Sequence, residues 1–148
     1  MSVEDEISGF IGKFAPHNQE LIRGCRAAMA RMFPEAVQLV YDNYNFFVIG
    51  FSPTRRPSHA IFSLAAQRHG LALCFLQHGP DLPDPEHLLH GSGKTVRSLP
   101  LLSPDDLVRP GVRDLLDAAV TIATVPMAVA EGPAVIVQSV SEKQRPRR

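Results

Sequence analysis

The chain has no tryptophan, only two cysteines and no net charge, and each shortage narrows what it can be. Two thiols in 148 residues do not make a disulfide scaffold. Cys25 and Cys74 both sit among apolar neighbours, the setting of reduced, buried cysteines. Fifteen basic against 15 acidic side chains leave no general field for holding nucleic acid. Lys143, Arg145, Arg147 and Arg148 are four of those cations, so residues 1–142 carry 11 basic against 15 acidic groups and are mildly acidic. No run of about 18 apolar residues is present to cross a bilayer. The opening MSVEDEISGF is acidic where a signal peptide would be basic. A cytoplasmic domain without membrane or nucleic-acid partners is expected. Catalytic signatures are missing as well. There is no Gly-x-Ser-x-Gly elbow, and Cys74 lies in an apolar strand rather than the positive, accessible setting a thiolate needs. The chain therefore reads as non-enzymatic.

What is present is one core's worth of apolar residues, 45% of the chain. Ser2 is placed to cap a first helix with Asp5, and Val3, Ile7, Phe10, Ile11 and Phe14 recur at helical spacing. Pro16 suits the first turn of a second helix, which Pro34 ends. AVQLVYD and FFVIGF then read as strands around an Asp42–Asn45 turn, followed by HAIFSLA, LALCFL and the weaker KTVRSLPL. LALCFL, apolar throughout, is expected in the sheet centre, covered on both faces. Ser103-Pro104 opens a helical segment, and a last helix follows Pro110-Gly111. Segregated helices and short strand links give an α+β fold: a mainly antiparallel sheet of about five strands packed with N-terminal and C-terminal helices. Residues 1–125 form the domain. Residues 126–148 are an extension in which PAVIVQSV reads as an edge or swapped strand and SEKQRPRR as a solvated basic tail.

His69-Gly70, Leu73-Cys74-Phe75, Gly79, Leu82, Asp84-Pro85, Leu88-Leu89, Gly91, Gly93-Lys94 and Arg97 fall in one register. In that register the chain resembles the YdhG-like family of small bacterial domains over about residues 16–123. The resemblance implies a compact domain on an antiparallel sheet, and, for some relatives, frataxin-like iron chaperoning. Relatives often carry a tryptophan or methionine-proline element near the second strand, where this chain reads Tyr44-Asn45-Phe46.

Two places invite a ligand. Gly91, Gly93, Lys94 and Arg97 resemble part of a phosphate loop, but the glycine such a loop needs five residues before Gly93 is Leu88, and a strand rather than a helix follows. The expectation is a looser anion site in which glycine N–H groups, Lys94 and Arg97 hold a small molecule or anion, with Tyr44 lining the cleft beside Arg97 or His59. The second place is His87 and His90, one helical turn apart, with Asp84 nearby; imidazole and carboxylate together suit iron or zinc. The leading expectation is a small-ligand or anion-binding accessory domain without a cofactor. The alternatives are iron handling through Asp84, His87 and His90, and a homodimeric interaction module using Ala134–Val140.

Overall fold

The Ser2 hydroxyl accepts from the Asp5 N–H at 3.1 Å, and the Asp5 carboxylate accepts from the Ser2 N–H at 3.2 Å. In the computed structural model, which describes residues 1–148 apart from the side chain of Val129, this reciprocal cap opens α1 (Val3–Ile11). Its apolar stripe puts Ile7, Phe10 and Ile11 in the core. α2 (Pro16–Met32) begins on Pro16 and buries Leu21, Ile22, Cys25, Ala28 and Met29. Gly24 lets α2 approach the Ser103-Pro104 turn, because a Cβ there would lie 2.6 Å from Pro104 Cγ. Phe33, just before Pro34, ends the helix.

The strands follow as β1 (Val37–Asp42), β2 (Phe47–Ser52), β3 (Phe62–Gln67), β4 (Gly70–Phe75) and β5 (Arg97–Leu101). Then come α3 (Pro110–Ile122) and β6 (Ala134–Val140). The order across the sheet is β5-β4-β3-β2-β1-β6. The first five strands form an antiparallel meander, and β6 adds to β1 in parallel after the long crossover that parallel pairing requires. This is the expected α+β architecture with one strand more than five. Ala134–Val140 lies at the sheet's edge, paired with β1 of its own chain.

The meander's register sets two faces. Phe47, Ile49 and Phe51 lie across from Ala66, Leu64 and Phe62, and Leu71, Leu73 and Phe75 continue the rows. All nine are buried in one cluster with residues of α1, α2 and α3. The Phe10 and Phe14 rings stand 6.1 and 6.3 Å from the Phe47 ring, and Phe62 meets Phe75 edge-on at 5.8 Å. Each fully buried phenylalanine contributes about 2–3 kcal/mol of apolar burial.

The opposite face carries small side chains: Gly50 on β2, Ser63 and Ala65 on β3, Ala72 and Cys74 on β4, and Ser98 on β5. β4 was expected to be covered on both faces. Instead Leu71, Leu73 and Phe75 are buried while Ala72 and Cys74 are only half-buried. The reason is that β4 lies next to the sheet's edge strand, and alanine and cysteine need little cover.

Residues 141–148 were expected to be a solvated tail, and here too the structure differs. The chain turns back across the end of the sheet where the β1–β2 turn and β3–β4 hairpin lie. Ser141 N donates to Asp42 O at 2.8 Å, and Arg145 N donates to Tyr44 O at 2.8 Å. Arg147 is 4% exposed, and its Nη2 donates to Asp42 Oδ1 at 3.0 Å and to Asn43 O at 2.6 Å. Its guanidinium stands 5.8 Å from the centre of the Phe14 ring. Lys13 Nζ takes the other Asp42 oxygen at 2.7 Å and the Gln144 side-chain oxygen at 3.0 Å. A buried carboxylate needs such partners, and a basic segment supplies one. Composition alone marked these residues as solubilising.

Candidate anion-binding site

The Gly91–Arg97 segment, where an anion is expected, makes several hydrogen bonds to itself. His90 and Ser98 exchange backbone hydrogen bonds at 2.7 and 2.9 Å, closing the loop between them. Gly91 has φ +124°, a conformation glycine alone adopts readily, so its role is to turn the chain. Arg97 Nη1 donates to Gly93 O at 2.7 Å and Val96 O at 2.8 Å, so the guanidinium braces the loop from inside. Lys94 and Gly93 are exposed. Gly91, Gly93, Lys94 and Arg97 are thus together, but Tyr44 is not with them. Tyr44 lies in the β1–β2 turn, whereas Arg97 pairs with Phe75 and starts β5 at the sheet's other end. His59, in the loop between β2 and β3, is also at that other end.

Asp84, His87 and His90 do not share a helical face, because the segment is a turn. Asp84 accepts from Leu88 N at 2.8 Å and Leu89 N at 2.9 Å, so both carboxylate oxygens are committed to the backbone. His87 adopts φ +55° to close that turn, which breaks the helical spacing. Among the described residues no three histidine, cysteine or carboxylate side chains gather closely enough to hold a metal ion.

The thiols are equally uncommitted to chemistry. Burial, with the charge of Asp106 adding, pushes Cys25 up to about 12. Burial also raises Cys74, against the opposing hydrogen bond with Ser63. Both are therefore thiols, not thiolates, at neutral pH.

The other end of the sheet assembles what the loop does not. The β3–β4 hairpin tip is Arg68-His69, fixed by the Asn18 side-chain amide donating to Arg68 O at 3.2 Å. Across from it the returning segment places Arg145, whose Nε donates to Asn45 Oδ1 at 2.8 Å and whose guanidinium lies 5.6 Å from the centre of the Tyr44 ring. Between them is a cavity of about 150 Å³ lined by Asn45, Gln67, Arg68, His69, Arg145 and Pro146. None of the six is acidic, and the volume is several times the roughly 30 Å³ of one water. Among the described residues the Arg68 guanidinium makes no hydrogen bond or ion pair, and Arg145 uses only its Nε. Nearby, Lys13 and Arg147 share one carboxylate, Asp42, so the local charge is positive. Among the described residues, two of Arg147's nitrogens, Nε and Nη1, are buried without a partner.

In the sequence Arg68-His69 reads as a strand link and the tail as solubilising, so neither marks this site. The available signal was a cationic hairpin tip and a cationic tail in a chain whose body is otherwise acidic. Tyr44 does belong to a cationic setting, with Arg145 in the place expected for Arg97. Comparison with family models, curated proteins and solved structures finds no match for this chain.

A larger cavity of about 310 Å³ lies between α1 and α2, lined by Ile7, Ile11, Ala27, Ala30 and Val135 with polar groups at its rim. Three of those polar groups pair with one another. Arg26 gives Nη1 and Nη2 to Glu4 at 2.8 and 2.9 Å and Nε to Gln38 at 2.9 Å. The hydrogen bond from Arg26 holds the Glu4 carboxyl below its usual range. Arg23, also on the rim, gives only Nη1 to Ser8 at 3.4 Å, but the Glu4 carboxylate lines this cavity, whereas the smaller basic pocket has no acidic residue.

Proposed function

We propose that this chain is a non-enzymatic, cytoplasmic, YdhG-like domain that binds a small anion at the end of its sheet formed by Asn45, Arg68, His69 and Arg145. The observation that carries the reading is a cavity lined by two arginines and a histidine, without a carboxylate, in which the Arg68 guanidinium and the two Nη groups of Arg145 are unused among the described residues. Guanidinium forks match carboxylate and phosphate geometry, and the N–H groups of Arg68 point to that class of ligand. An exposed site of this kind gives affinity near 1 mM, or about −4 kcal/mol, falling with salt as the charges are screened. Iron handling has no comparable support, because Asp84 is tied to backbone amides.

Thermal melting with added phosphate or sulfate tests the reading. Saturable stabilisation should disappear in Arg68→Ala and survive in Lys94→Ala. Loss in Lys94→Ala alone would move the site back to the Gly91–Arg97 loop.

A further inference from the structure

The basic pocket continues onto the open face of the sheet. Gln67 and His69 line it on one side and on the other line a second cavity, of about 220 Å³, bounded by Phe46, Ala65, Ala72 and Pro100. The strand register explains the recess. Ala65 pairs with Ala72, and Ala72 with Pro100, so three adjacent strands present small or flat side chains in one transverse row. Phe46 stands at the lip with 38% of its surface exposed, a large apolar side chain with no core to fill. One end of the combined groove is cationic and the other apolar, with no acidic residue lining either.

We propose, building on the anion-binding reading, that the ligand is an amphipathic small organic anion. Its carboxylate or phosphate sits between Arg68 and Arg145, and its apolar body, a short acyl chain or an aryl ring, lies over Ala65 and Ala72 against Phe46. Adjoining cavities of this size reach the range of organic-ligand pockets, about 300–1,000 Å³, which the basic pocket alone does not. The charged end fixes orientation, and the recessed alanines set the width of the body. An inorganic ion uses only half the groove.

The test is a titration series on the full chain followed by calorimetry: acetate, butyrate and hexanoate, with inorganic phosphate and phenyl phosphate in parallel. Affinity is expected to rise about two- to fourfold per added methylene, as burial of apolar surface dictates. Phenyl phosphate should exceed inorganic phosphate by at least roughly tenfold on the same ground. In Ala72→Phe, and independently in Ala65→Leu, the gain should vanish while acetate and phosphate bind as before. Acetate and phosphate binding without any gain from the apolar body would overturn this inference and leave the anion site standing. No binding by any member of the series would overturn both. The carboxylate and phosphate arms separate the two head groups, and the tighter arm names the class.

Discussion

Replacing Asp42 by asparagine keeps the shape of the side chain and removes its charge from beneath the returning segment. Asp42 is fully buried and pairs with Arg147, itself 3% exposed at its side chain, and with Lys13, which is 44% exposed. The Lys13 pair reaches solvent and is worth at most about 1 kcal/mol. The Arg147 pair is different, because its loss strands a guanidinium that already has two nitrogens unpartnered among the described residues. Removing one partner of a buried pair costs about 3–5 kcal/mol, and the retained asparagine oxygen places Asp42→Asn near the lower end. For a chain of this size roughly 2–4 °C is lost per kcal/mol, so the melting temperature should fall by roughly 10 °C. The double variant Asp42→Asn/Arg147→Leu should be less destabilised than the two single changes added together, with a coupling of about 2 kcal/mol or more. Calorimetric melts of the four proteins measure this. Additive effects, or an Asp42→Asn melt within about 3 °C of the parent, would show that the segment is not held by this pair.

Acid unfolding carries the same signature. Burial pushes Asp42 up, but hydrogen bonding from Lys13, Gln144 and Arg147 and the charge of Lys13 outweigh it, so the carboxyl sits below its ordinary 3.8. A folded-state value below the unfolded one means stability present above 3.8 and lost as pH falls through the folded value. Urea midpoints measured from pH 6 downward should therefore drop more steeply in the parent than in Asp42→Asn, and parallel curves would remove Asp42 as the cause. Deletion of residues 141–148 should abolish phosphate-dependent stabilisation while leaving the far-ultraviolet dichroism in place, because Arg145 goes but the meander stays. Cys25 and Cys74 should resist iodoacetamide at pH 8 in the native protein and react fully in denaturant, which mass spectrometry reads directly. Gly79→Ala should cost about 1–3 kcal/mol by overpacking, since a Cβ there would lie 2.7 Å from Thr95 O and from Arg97 Cγ. Chemical denaturation checks it.

Most of the fold is legible in local pattern. Ser2 with Asp5, Pro16 and the β-branched runs specify their own conformations, and the structure forms each of them, with the expected Asp42–Asn45 turn displaced by one residue to Asn43–Phe46. The sixth strand also shows its β-branched character, but its partner depends on the long crossover through α3, which no local signal encodes. β4 shows how an apolar run misleads: Ala72 and Cys74 are apolar enough to read as covered and small enough to remain half open. The candidate site is the least legible part. Arg68 and Arg145 are far apart in sequence and meet only because the chain returns across Asp42. The glycine-rich loop, by contrast, is conspicuous in sequence, yet Arg97 turns inward to its carbonyls.

Where an anion binds is directly measurable. Amide chemical shifts of the nitrogen-15-labelled protein, followed through a phosphate titration at low ionic strength, locate it residue by residue. Saturable shifts confined to Asn45, the Gln67–Gly70 hairpin and Arg145 are the predicted result. Shifts centred on Gly91–Arg97, or none above those produced by equal chloride, would contradict it.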